Sequence, residues 1–229
     1  MTIQSVFRFA SIWSILLPLC AGIFKYKNAE REIKIIIGIV AFATIPQVMD
    51  YFFSQDSEWL TLSYNVYTPI EFIFFGIFFK SYLKSQNELL YFLFINLFYI
   101  IVSIILLSYF NLSEKFIYEW VCLNNILYIV YVYIIFLRQY TNDSNDELNF
   151  SLPVFWIFTG IFIYSSFSSI TLPIRHYLMS HKGSYLSNFL IIHHLSNTVL
   201  YIFFCIGIYM SGKSKIEANK KSLTLEHTK

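Results

Sequence analysis

The chain reads as an all-α, polytopic membrane protein: a bundle of seven transmembrane helices, N-terminus outside and C-terminus in the cytoplasm. Three observations predict this. Of the 229 residues, 57% are hydrophobic and only 13% are charged, about half the charged share of a soluble domain. Seven apolar blocks of spanning length, at about 6–24, 33–53, 60–80, 89–110, 117–137, 150–172 and 186–210, account for nearly all of the chain. Lysine and arginine divide unevenly between alternate connections. Twelve fall on segments 25–34, 80–88, 138–149 and 211–229; four fall on the N-terminus and segments 54–59, 111–116 and 173–185. The positive-inside rule turns that split into an orientation. The connections are too short for a second domain, so residues 1–212 form one membrane domain and 213–229 a basic cytoplasmic tail.

The first span is almost featureless. Pro18 is expected to kink it, and Arg8 can snorkel at its outer end. It is too long for a signal-peptide core, and Cys20 follows Leu19 rather than a small residue, so a retained helix is expected. The second span carries Thr44, Gln47, Asp50 and Tyr51 on one arc near its outer end, with Pro46 interrupting the backbone ladder. Asp50 lies close enough to the interface to be hydrated there.

The third span, LTLSYNVYTPIEFIFFGIFFK, is the one that organises the rest. Glu71 sits about halfway along it, where a carboxylate costs roughly 2.5–3.5 kcal/mol on the insertion scale. Something in the fold must compensate. At about 100° per residue, Tyr64, Tyr67, Thr68, Glu71 and Phe75 share one side, and Asn65 stands apart. Neither lysine nor arginine occurs at that depth in any span, so a protonated His193 or His194 is the expected partner of Glu71.

The fourth span is the most apolar. Its Asn96 reads as interhelical glue. The fifth places Trp120, Asn124, Tyr128 and Tyr131 on one face. Pro153 opens the sixth, because its missing donor is one the first turn leaves free. Later in that span, YSSFSSI puts Ser165, Ser168 and Ser169 on one face, small enough for another helix to approach. The connection 173–185 carries Arg175, His176, His181 and Lys182. The seventh span groups His193, His194, Asn197 and Tyr201 within about a 100° arc. Cys20, Cys122 and Cys205 lie in three different spans with no Cys-x-x-Cys spacing, so no disulfide framework is expected.

Given that topology, Gln47, Asp50, Asn65, Asn124, Asn125, the three serines and both histidines fall in the outer halves of their spans. Glu71 and Asn197 lie near the midplane. Polar groups in lipid must face one another or water. The expected arrangement is a polar cleft open to the outside, floored by Glu71 and closed below by an apolar plug. Tyr64, Tyr67, Tyr128 and Tyr201 would form its walls, with Thr68 and Asn124 beside them. The competing account is that these groups only hold the bundle together, through bonds averaging about 0.6 kcal/mol each.

YNVYTPIEF in the third span and HHLSN in the seventh resemble motifs of small seven-helix integral membrane proteins of bacterial genomes, a group without an established activity. The resemblance covers most of the chain and implies a multi-pass protein of the bacterial inner (cytoplasmic) membrane. Microbial rhodopsins fit poorly, since the seventh span has no lysine for retinal. Ceramidase-like hydrolases carry a His-x-x-x-His pair in the last helix, whereas His193 and His194 are adjacent.

Three functions are compatible with this pattern. The first is a ligand-binding or sensory module that passes its signal through cytoplasmic loops to a partner. Its cleft would hold a small, partly polar molecule. The second is a membrane-embedded hydrolase acting on lipid, with zinc on His193 or His194 and Asp50, and Glu71 as general base. The third is a proton-coupled transporter relaying through Glu71 and His194. Outside the zinc reading no cofactor is evident, and no feature points to nucleic acid.

Overall fold

Every described element is a helix. The computed structural model describes residues 3–53, 57–113, 116–141, 152–180 and 186–211. Residues 142–149, His181, Lys182 and the tail 213–229 lie outside the described residues. The helices are α1 (Ile3–Ser14), α2 (Leu16–Lys25), α3 (Arg31–Phe52), α4 (Glu58–Lys80), α5 (Gln86–Tyr109), α6 (Tyr118–Thr141), α7 (Pro153–Ser180) and α8 (Leu186–Met210). α1 and α2 are two pieces of one span, giving seven helical spans long and apolar enough to cross a membrane. This is the architecture of a multi-pass membrane protein.

The prolines explain the irregularities. Pro18 has no N–H for the Ser14 carbonyl and crowds it, so the first span breaks at Ser14–Ile15, one turn before the proline. Pro46 and Pro69 are carried inside α3 and α4. Pro173 does not end the sixth span, contrary to the boundary expected at residue 172. α7 runs through it to Ser180. The carbonyl that Pro173 leaves without a donor is that of Ser169, four residues earlier, and Cys122 Sγ on α6 donates to it at 3.8 Å. A neighbouring helix thus satisfies the group that the proline orphans.

Cross-links at both ends make neighbouring spans antiparallel. At what we call the N-terminal end, Arg8 on α1 meets Asp50 on α3. There, too, Asn65 on α4 donates to the Leu112 carbonyl at 2.8 Å and accepts from Ile117 N at 3.1 Å, strapping down the α5–α6 connection. At the C-terminal end, Lys25 lies over the Tyr209 ring, 5.0 Å from its centroid. Ser85 and Glu88 form a capping box that starts α5. Arg138 pairs with Glu88 at 3.4 Å and donates to the Tyr82 carbonyl, tying α6 to that turn.

α8 packs against α7 on one side and against α1 and α2 on the other, which closes the ring. Small residues allow the α7–α8 contact: a Cβ on Gly207 would stand 2.7 Å from the Pro153 carbonyl oxygen, and one on Gly160 2.8 Å from Phe203 Cβ. Ser165 and Ser168 on α7 are fully buried, as their small-residue face predicts. α5 packs on α4 and α6 and turns Leu93, Phe94, Leu97 and Ile104 outward, each more than half exposed. Asn96 ties it to α6 through Tyr131 Oη at 2.9 Å.

The C-terminal half of the bundle is a dry aromatic and aliphatic plug. Phe75 lies 4.9 Å from Tyr128, Phe79 stacks on Tyr131 at 5.0 Å and on Phe158 at 6.0 Å, and Ile36, Ile135, Phe204 and Ile208 fill the space around them. The N-terminal half is where the polar residues gather.

Candidate functional site

A cavity of about 210 Å³ runs from the N-terminal end of the bundle down to Glu71. Helical spacing explains which side chains reach it. On α4, Thr61, Tyr64, Thr68 and Glu71 recur at three- and four-residue intervals and present one face. On α8, His193, His194, Asn197 and Tyr201 do the same. α3 contributes Gln47 and Asp50, one turn apart, and α7 contributes Tyr164.

Glu71 forms the floor. It is partly accessible, and its Oε1 accepts a hydrogen bond from Tyr67 Oη at 2.6 Å, one turn back on the same helix. Its Oε2 takes no hydrogen bond from the described residues. Tyr67, Tyr164 and Tyr201, from three helices, line the cavity together with Glu71.

The expected ion pair between Glu71 and a histidine is not formed. The ion pairs among the described residues are Arg8–Asp50 and Arg138–Glu88. The reason is vertical offset. On α8 the histidines stand about one turn before Asn197 and two before Tyr201, towards the N-terminal end of the bundle. The phenol of Tyr67 is already in reach on α4 itself. His193 instead sits 3.4 Å from Ser168 Oγ through Nδ1, with its ring 6.1 Å from that of Tyr164 and 5.9 Å from that of His194.

Asp50 is not simply hydrated. Arg8 holds it at 3.1 Å from Oδ1 and also donates to its backbone carbonyl at 2.7 Å. The snorkelling arginine and the peripheral aspartate are one unit that joins α1 to α3 at the cavity's edge.

Of the residues the sequence singles out, Gln47, Asp50, Tyr64, Tyr67, Thr68, Glu71, His193, His194, Asn197 and Tyr201 line this one cavity. Asn124 and Tyr128 do not. Asn124 donates to the Thr68 carbonyl at 3.0 Å, joining α6 to α4 just before Pro69. Tyr128 is buried between Phe72 and Phe75 in the plug, its hydroxyl without a hydrogen-bond partner. Their shared face was legible; that it meets α4 and α5 rather than the cavity depends on helix rotation. Asn197 has a double role, lining the cavity while donating to Ser11 Oγ at 2.9 Å and so pinning α8 to α1. Gln47 reaches Tyr201 Oη at 3.5 Å.

Tyr164, Thr61, Phe116 and Tyr118 line the cavity besides the residues the sequence singles out. Tyr164 opens the YSSFSSI segment, four residues before Ser168, and was overshadowed by the serines. Thr61 lies one turn before Tyr64 on the same face, a signal that helical spacing offered. Among the described residues, no group of three His, Cys, Asp or Glu side chains is placed to hold a metal ion. His193, His194 and Asp50 all line the cavity.

Comparisons with protein-family models, with curated proteins and with solved structures yield no match. The functional reading therefore rests on the geometry of the site.

Proposed function

We propose that the protein is a ligand-binding or sensory membrane module whose site is the cavity above Glu71. One observation carries this reading: a partly accessible carboxyl group stands at mid-span on the floor of a polar cavity built by α3, α4, α6, α7 and α8. Intramembrane ionisable groups that serve only structure are normally paired with an opposite charge, and Arg8–Asp50 and Arg138–Glu88 fit that rule. Glu71 does not. A cavity of about 210 Å³ is smaller than the roughly 300–1,000 Å³ of drug-sized sites, so the ligand is small. In the bacterial inner membrane, with the N-terminus outside, the cavity faces the exterior. The plug beneath it blocks a through-path, so binding would be signalled by helix displacement to a partner on the cytoplasmic side.

The test is side-specific chemistry. In a variant lacking Cys20, Cys122 and Cys205, His194→Cys is expected to react with a membrane-impermeant thiol reagent added outside. A thiol that stays inert until the protein is unfolded in detergent would show that the cavity is sealed, and the ligand-site reading would fall.

A further inference from the structure

The composition of the cavity wall points to one class of ligand. Aromatic residues from four helices line it: Tyr64 and Tyr67 on α4, Tyr118 on α6, Tyr164 on α7 and Tyr201 on α8, with Phe116 just before α6. Ring faces carry negative charge density and attract cations, most strongly where water is scarce. The formal charge has the same sign. Two carboxyl groups line the cavity, and none of the described residues lining it is a lysine or arginine. Arg8 already matches Asp50. The surplus negative group is Glu71, and neither histidine forms an ion pair with it.

The hydrogen-bonding capacity at the cavity includes several acceptors. Glu71 Oε2 takes no donor from the described residues. Gln47 and Asn197 direct their amide N–H groups to Tyr201 and Ser11, and their amide oxygens take no hydrogen bond from the described residues. An anionic ligand would bring a second negative charge to Glu71 with neither lysine nor arginine in the described lining to offset it. A neutral ligand would leave the aromatic faces and the carboxylate without a positive partner. A compact cation with N–H donors or alkylated nitrogen satisfies both.

We infer that the cavity binds a small organic ammonium ion, with nitrogen at Glu71 and carbon substituents against the rings of Tyr64, Tyr164 and Tyr201. This rests on the cavity being a ligand site, as proposed above, and narrows it to one chemistry. Glu71 supplies the counter-charge, the tyrosines supply cation–π attraction and apolar contact, and Tyr67 holds the carboxyl group in place through its hydroxyl.

The test uses the full chain, purified in detergent, titrated at constant ionic strength with butylammonium, tetramethylammonium, n-butanol and butyrate. Binding is followed by calorimetry and by the melting temperature. At least one of the two cations is expected to bind about tenfold or more tightly than n-butanol, the ratio that one desolvated cation–π contact or ion pair supplies. Glu71→Gln should erase that preference. Tyr164→Leu should weaken cation binding, whereas Tyr164→Phe, which keeps the ring, should retain it. Melting curves of each variant without ligand establish that it is folded.

The outcomes separate the two layers of the proposal. If n-butanol or butyrate binds as tightly as both cations, the ligand class is wrong and the cavity remains a binding site. The same holds if no probe binds while a thiol introduced by His194→Cys reacts from outside. If no probe binds and that thiol is also inert, the cavity reading and the ammonium reading fall together.

Discussion

Asn65 and Glu71 stand six residues apart on α4 and represent two uses of a polar side chain inside a bundle. Asn65 is buried and saturated at both ends of its amide by backbone groups of the α5–α6 connection. Glu71 has one bond among the described residues, from Tyr67, and lines the cavity. Their substitutions should therefore diverge. Asn65→Ala orphans a half-buried carbonyl and a buried N–H, and is expected to cost about 1–3 kcal/mol. Glu71→Gln keeps an oxygen for the Tyr67 hydroxyl and removes a desolvated charge. It is expected to leave the melting temperature unchanged or to raise it, since relieving a buried charge is often stabilising. Melting curves of the two variants in one detergent check both statements. A loss from Glu71→Gln as large as that from Asn65→Ala would make Glu71 a structural strut.

At the scale of the helix, packing decides the sign of a substitution that propensity alone would call favourable. Alanine is a better helix former than glycine by about 0.8–1.0 kcal/mol. Gly38 on α3 has no atom within 4 Å of where its Cβ would be, so Gly38→Ala should gain part of that. Gly207 on α8 faces the Pro153 carbonyl oxygen and Ile157 Cγ1, both at 2.7 Å from the added carbon. The first of these is backbone and cannot rotate away. Gly207→Ala is expected to push α7 and α8 apart and to lose about 1–3 kcal/mol, the usual cost of overpacking. Thermal unfolding of the pair measures this, and equal effects at both positions would contradict the close α7–α8 contact. The same logic covers Pro173. There, Cys122 on α6 reaches the carbonyl that the proline leaves bare.

The whole molecule is a ring of helices with a polar half and a dry half. The polar half lies at the end where α1 begins, and we propose that this end faces outside, because the sequence segments expected there carry four lysines and arginines against twelve on the alternate segments. A reporter fused after residue 229 should thus be active only in its cytoplasmic form, and one placed before residue 1 only in its exported form. The reverse pattern would turn the cavity toward the cytoplasm. α5 is the span least engaged by the rest. Its exposed leucines, isoleucines and phenylalanines suit a helix that meets lipid on most of its circumference.

The number of spans, their approximate limits and the residues sharing each face were determined by the sequence alone. These are local properties: hydropathy over about twenty residues sets a span, and the 3.6-residue period sets a face. The faces of Tyr64, Thr68 and Glu71, and of His193, Asn197 and Tyr201, follow from that period and do meet in one cavity. The partners were decided by the tertiary structure. Glu71 takes its hydrogen bond from Tyr67 rather than from a histidine, Asp50 belongs to Arg8, and Asn124 and Tyr128 turn away from the cavity. A period of residues says which side of a helix is polar, and a membrane requires that side to find a partner. Which partner it finds depends on the rotation of each helix about its axis and on its vertical offset from its neighbours. Those two quantities are set by contacts between residues far apart in the chain, such as Gly207 with Pro153 and Asn197 with Ser11.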